Sequence, residues 1–377
     1  MKDEEELLRM EQETTEMRGY GELPTVEIKT DSGRKCPRCR GFMEFDPKEG
    51  KLRCLSCDYV EAVLSRNEEE TNAEELDFIY AEREGNHDWG VEKKTVRCES
   101  CGIEMIYDKA DPLGECLYCG SGRITEVQTE DILAPGGVCV FELDAKQAAE
   151  RFETWIRKRW LCRKELKGDV QPKNLKGIYV PCWTFDTHTD TTYDADYGVR
   201  DQGTKGAAVT EWGGCCGEYK EFIDDLVIDG SIRHKEEFPD IAGAFRTEDN
   251  KAYRQEYLAG FAVERYSVDL KDAWESAKEL IFKRLQRHVT NKIYALYHAD
   301  EVENLNITSV YNRVQYKHLL LPVWVVCFQV KGKLYRFMVN GQDGSIAGKY
   351  PVSVGKIVAV VLGGLAVLGG LCVLLCK

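Results

Sequence analysis

GIYVPCWTFDTHTDTTYDADYG, residues 177–198, reads as a long pair of strands. Asp186, His188, Asp190, Asp194 and Asp196 share one parity, so in an uninterrupted strand they line a single face. Like charges about 7 Å apart on one face would welcome a cation. The plainer explanation is alternation with the polar side in water. The odd positions are mostly Thr and Tyr, so composition does not say which face is buried.

Working outward, ILAPGGVCVFELD (132–144) predicts a strand running into a helix. Asp144 is suited to the N-cap, with Gln147 three residues on as a variant capping box. Ala148, Phe152, Trp155 and Ile156 mark one face of that helix, which ends in the basic cluster RKRWLCRK (157–164). That cluster reads as a solvated helix end, with an anionic surface as its functional alternative. On the other side, WGGCCGEY (212–219) reads as a glycine-bounded loop carrying Cys215 and Cys216. A second helix over roughly 269–298 is predicted from Trp274, Ala277, Ile281, Leu285, Val289, Ile293 and Leu296, with His288 and His298 read as structural. LLLPVWVVCFQVKGKLYRFMVNGQDGSIAGKYP (319–351) then predicts strand, turn at Lys331–Lys333, strand, and an Asn340-Gly341 turn into a last strand. Residues 129–352 are thus expected to form an α+β domain.

Upstream lie two copies of one cysteine pattern. CPRCRGFMEFDPKEGKLRCLSC (36–57) and CESCGIEMIYDKADPLGECLYC (98–119) each hold two C-x-x-C pairs, and every cysteine of the second set follows its counterpart by 62 residues. Zinc takes four thiolates at tetrahedral corners, and a C-x-x-C turn supplies two of them. Cys36, Cys39, Cys54 and Cys57 are therefore expected to hold one structural zinc, and Cys98, Cys101, Cys116 and Cys119 another. A four-sulfur site leaves no open position for substrate. A redox dithiol would call for one pair in a strand–motif–helix setting rather than two matched doublets. The expected units are an arm (1–27), ribbon 1 (28–62), an acidic linker (63–96) and ribbon 2 (97–128). In the linker, His87 reads as a loop residue and Trp89 as a docked side chain.

The ribbons differ in charge. Residues 28–57 carry eight Lys or Arg against four acids, whereas residues 98–119 carry one Lys against five acids. Arg34, Lys35, Arg38 and Arg40 are the candidates for contact with phosphate. Their plainer role is a solvated surface. The chain as a whole has 65 acidic and 51 basic residues among 377, which excludes a diffuse polycation.

IVAVVLGGLAVLGGLCVLLC (357–376) is a twenty-residue uncharged run, about 30 Å long as a helix and enough to cross a hydrocarbon core. It predicts a single C-terminal transmembrane helix within 353–377. No apolar leader opens the chain and the cysteines imply reducing conditions, so the expectation is a single-pass membrane protein with its body on the cytoplasmic side. Ala359 and Gly363, and Ala366 and Gly370, are each four apart, a spacing that permits close helix packing in lipid.

The run from the first ribbon through NHDWGVEKKTVRCESCG, CLYCGS, ILAP, YVPCWTFD, YLAGFAVERYSVDL, YKHLLLPVWV and LYRFMVNGQDGSIAG resembles a group of bacterial zinc-ribbon proteins. They are commonly labelled transcription-factor-IIB-type, or likened to the primosomal helicase. The resemblance implies kinship without naming an activity. No G-x-x-x-x-G-K-[ST] loop, H-E-x-x-H, G-x-S-x-G or G-x-G-x-x-G is present, so no nucleotide and no enzymatic reaction is expected. The expected function is a membrane-anchored, non-enzymatic recognition or scaffold protein with a protein partner. The alternative is nucleic-acid binding through ribbon 1, and a weaker third is a metal-dependent enzyme using the aspartates near His188.

Overall fold

The computed structural model describes residues 35–64, 69–81, 87–90, 92–108, 114–127, 133–163, 166, 175–202, 208–234, 237–330, 333–353 and 355–356. All of them fall within one unit, Asp31–Lys377. The architecture rests on three long strands, β9 (Lys176–Gln202), β10 (Ala208–Asp229) and β13 (Glu301–Val330). The stretch 177–198 is therefore part of one continuous strand rather than a pair. At about 3.3 Å per residue the 27 residues of β9 span roughly 90 Å. Antiparallel β13 runs along one edge of β9, and β10 along the outer part of the other.

Shorter strands complete the sheet at the base of this trio. They are β4 (Leu76–Asp77), β5 (Lys93–Cys98), β6 (Glu104–Asp108), β7 (Ile124–Val127), β8 (Gly137–Val138), β11 (Lys251–Ala252), β12 (Ala262–Glu264), β14 (Lys333–Asn340) and β15 (Ile346–Ala347). The path through the twelve-stranded sheet is β11-β8-β13-β9-β12-β6-β5-β7. A separate three-stranded sheet is formed by β1 (Met43–Asp46), β2 (Lys51–Cys54) and β3 (Val60–Ala62).

Among the described residues, three α-helices lie on these sheets: α1 (Ala145–Arg157), the single turn α2 (Phe238–Ile241) and α3 (Leu270–Tyr297). Asp144 caps α1 with the full reciprocal box to Gln147, as its spacing predicts. Ala148, Ala149, Phe152 and Ile156 are the buried face of α1. α3 is about 42 Å long and lies against β9, β10 and β13. Its buried face is Trp274, Ala277, Ile281, Leu285, Val289 and Ile293, but Leu296 is 58% exposed and outside the core. Beneath it, Thr187, Thr189, Thr191, Tyr193 and Ala195 of β9 are buried, while His188, Asp190 and Asp194 point to solvent. The helix thus decides the parity that composition left open. Cys215 and Cys216 lie within β10, opposite Ala195 and Asp194, and not in a loop.

The expected architecture requires correction. An α+β domain behind two separate ribbons does not describe a fold dominated by one large sheet, in which the strands of the second ribbon are members. The reason is strand length and edge pairing: β6 bonds to β12, so ribbon 2 continues the sheet instead of standing apart from it. The transmembrane helix is corrected too. Among the described residues no helix is long and apolar enough to cross a membrane, and the longest, α3, is charged along its outer face. The run 357–376 lies outside the described residues, as do the arm at 1–27 and Arg34. The single-pass localisation built on that helix is withdrawn with it.

Candidate metal centres

Each ribbon closes on itself through two identical turns. In ribbon 1, Cys36 N–H donates to Gly41 and Arg40 N–H to Cys36. At the second turn, Cys54 N–H donates to Tyr59 and Asp58 N–H to Cys54. Ribbon 2 repeats this with Cys98 to Ile103, Gly102 to Cys98, Cys116 to Ser121 and Gly120 to Cys116. The residue after each second cysteine takes a left-handed backbone: Arg40 (φ 63°), Asp58 (φ 55°), Gly102 (φ 72°) and Gly120 (φ 69°). Only glycine adopts that conformation without a steric cost, so ribbon 2 carries the less strained version of the same turn.

The turns bring each cysteine quartet together with all ligand atoms within 4.8 Å of one another. Sγ–Sγ distances are 3.7 Å for Cys36–Cys57, 3.5 Å for Cys39–Cys54, 3.6 Å for Cys98–Cys119 and 3.6 Å for Cys101–Cys116. A tetrahedron with Zn–S bonds of about 2.3 Å has edges near 3.8 Å, so both quartets fit zinc. Amide N–H groups of Gly41 and Ser56 each donate to a sulfur at 3.4 Å, which suits thiolates. Each quartet can hold one structural metal ion, two in all. Among the described residues, no other cluster of His, Cys, Asp and Glu reaches this convergence.

The aspartate stripe on β9 is built differently. Asp190 takes Lys220 at 2.8 Å and the Asn312 amide at 2.9 Å, Asp194 the Asn306 amide at 3.0 Å, and Asp196 the Asn304 amide at 2.8 Å. Each carboxylate already has a donor from a neighbouring strand. His288 pairs with Glu221 at 2.9 Å, tying α3 to β10. Trp89 is buried against Tyr253, as its docking role predicts.

The two quartets differ in their surroundings, although Glu99, Ser100 and Gly120 of ribbon 2 are exposed as well. In ribbon 1 the turn tips Arg38, Arg40 and Ser56 are exposed, with Leu55 at 59%. Lys35 is exposed with its ammonium 3.8 Å from the Phe42 ring centre. This ribbon meets the rest through β1, where Phe45 N–H donates to Ala259 and the Phe45 ring packs edge-on against Tyr257, and through Lys48, which pairs with Asp144 at 2.5 Å.

In ribbon 2 the turns are gripped. Arg233 donates to the carbonyls of Cys101 and Gly102, both at 2.9 Å. Tyr118, inside the C-x-x-C of residues 116–119, is 1% exposed. Its hydroxyl donates to Glu264 Oε2 at 2.7 Å and lies 2.6 Å from His234 Nε2. Ser231 Oγ donates to the other oxygen of Glu264, and Asp229 lies 3.4 Å from His234 Nδ1. Burial opposes the imidazolium of His234, but Glu264 and Asp229 outweigh it and push its pKa up to about 10. Burial likewise works against the Glu264 anion, yet His234 and the hydroxyl donors hold its pKa below the usual range. Cys327 Sγ–H donates to the Tyr118 carbonyl at 2.8 Å, and the Arg336 guanidinium sits 5.2 Å from the Tyr118 ring centre. The sequence reading missed this network. Its one local signal is an aromatic inside the second C-x-x-C where the first has Ser56.

The chain is similar to the uncharacterized protein YdjG of Bacillus subtilis (strain 168), at 27% identity over 334 residues, covering 86% of this chain and 92% of that protein. No family model and no solved structure matches the chain.

Proposed function

We propose that this is a non-enzymatic recognition protein in which ribbon 1 is the contact surface and ribbon 2 is a brace. The carrying observation is the asymmetry at matching positions of the quartets: Arg40, Leu55 and Ser56 of ribbon 1 face solvent, whereas in ribbon 2 the Gly102 carbonyl is held by Arg233 and Tyr118 is buried on Glu264. Leu55, 59% exposed on the second cysteine turn, supports a protein partner, since an exposed apolar side chain on a ribbon that also carries arginines suits an interface centre. Arg38 and Arg40 add a preference for an acidic surface on that partner. The repeated cysteine spacing also supports kinship with the transcription-factor-IIB-type zinc-ribbon proteins.

A second reading, nucleic-acid binding, is favoured by the exposed Lys35, Arg38 and Arg40. A photoreactive amino acid at position 55 of the intact chain, irradiated in cells, separates the two. The expected adduct is sensitive to protease and resistant to nuclease. A nuclease-sensitive adduct that disappears in an R38E/R40E chain moves the assignment to nucleic acid. No adduct at position 55 or at position 38 rejects ribbon 1 as a contact surface.

A further inference from the structure

We propose that the second cysteine quartet is a metal-dependent lock on the large sheet, with Tyr118 as the residue that couples metal occupancy to the fold of the body. The duplication supplies the comparison. Position 118 corresponds, 62 residues on, to Ser56, which is exposed and makes no equivalent anchor. The second copy has replaced a solvent-facing serine by a tyrosine that enters the core.

A metal ion holds the four sulfurs and so fixes the turn Cys116–Cys119, on which Tyr118 is carried. That turn delivers the Tyr118 hydroxyl to a buried ion pair between His234, 0% exposed, and Glu264, 2% exposed. The partners come from separate pieces of chain. Glu264 is on β12, Ser231 and His234 lie after β10, Cys327 is on β13 and Arg336 on β14. Arg233 reaches the other turn of the same quartet. Both turns of one metal site are therefore tied to the segment 231–234, which leads into α2.

Without the metal, thiolates within 4.8 Å of one another repel, and the 116–119 turn loses the bonds that join it to the 98–101 turn. Withdrawal of Tyr118 leaves Glu264 short of a donor and opens a tyrosine-sized gap beside a buried pair, which is costly in a dry interior. The body must relax. Among the described residues ribbon 1 has no such link from its cysteine turns to a buried ion pair: it attaches through β1 and through Lys48, which pairs with Asp144. Coupling is reciprocal, so weakening the buried network must weaken metal binding at the second quartet alone.

The test uses the full chain with Cys39→Ser, which leaves the second quartet as the one complete site, and measures zinc affinity by competition with a chelator of known strength. Tyr118→Phe, which keeps the ring, and Glu264→Gln should each weaken zinc binding by about fivefold or more. In the converse chain carrying Cys101→Ser, neither substitution should alter the affinity of the first quartet. A smaller change than this in both variants at the second quartet overturns the proposal, as does an equal loss at the first. Hydrogen exchange gives an independent reading. Stripping zinc from the second quartet should speed exchange in 231–241 and β12, and unchanged exchange there also overturns it.

Discussion

At the scale of single residues, the four turn positions after the second cysteines separate backbone strain from packing. Gly120 has open space around an added Cβ, so Gly120→Ala carries only the left-handed backbone cost of about 1–2 kcal/mol. At Gly102 the same atom would lie 2.5 Å from the Arg233 guanidinium, which is held by two carbonyls. Gly102→Ala is therefore expected to lower the denaturation midpoint of the zinc-loaded chain more than Gly120→Ala does. His318 supplies a pH signature. It is stacked on Trp183 with ring centres 4.6 Å apart, and burial pushes its pKa down to about 4. The unfolded value is near 6.5, so its contribution is present above that pH and is lost as pH falls through 4. Denaturant midpoints should show His318→Gln losing its disadvantage relative to wild type between pH 7 and pH 5. A difference that stays constant over that range counts against a buried neutral imidazole.

At the scale of elements, α3 works as a splint along the three long strands. It spans the level at which both neighbours of β9 carry bulges, between Ile223 and Leu226 of β10 and between Asn312 and Gln315 of β13. Bulges bend and twist strands locally, so a straight helix across them keeps the trio in one alignment. Ile281, fully buried, sits at the middle of that splint. Ile281→Ala should cost about 2–5 kcal/mol in equilibrium unfolding, whereas Leu296→Ala, on the exposed side, should stay within about 0.5 kcal/mol. Equal effects would mean that α3 is not packed as described. In the outer part of the trio, aromatic rings cover glycines across the strands, Tyr193 over Gly217 and Tyr197 over Gly213. Those glycines make room for rings that a side chain would displace.

For the whole molecule, the two cysteine quartets set the expected metal content. The zinc-loaded chain should contain two ions per chain by elemental analysis, and one after either Cys57→Ser or Cys119→Ser. A stoichiometry unaffected by these changes would remove the quartets as ligand sets. Global charge adds a constraint on partners. The chain has a net charge of −14, and against that background the basic tips of ribbon 1 are a local exception, as is the cluster at 157–164. Under the proposed function, an acidic partner would be steered there by the local charge.

Much of this was legible in the order of residues. The quartets were, because C-x-x-C spacing places two sulfurs on one turn wherever that turn lies in space. The α1 cap at Asp144 and the buried stripe of α3 were legible too, because both depend on residues three and four apart. What lay beyond reach was everything that depends on which surfaces meet. The parity of β9 followed from α3 covering the threonine side, and the threonine and aspartate faces are both polar enough to have gone either way. Ribbon 2 became part of the sheet through pairing of β6 with β12, which lies more than 150 residues away in sequence. Tyr118, His234 and Glu264 carry no spacing relation to one another, so their network exists only once the sheet has closed. The sequence by itself determined two metal-holding quartets and the helices that follow them. The tertiary structure alone decided which residues of those turns stay exposed, because exposure is a property of the neighbours a residue acquires.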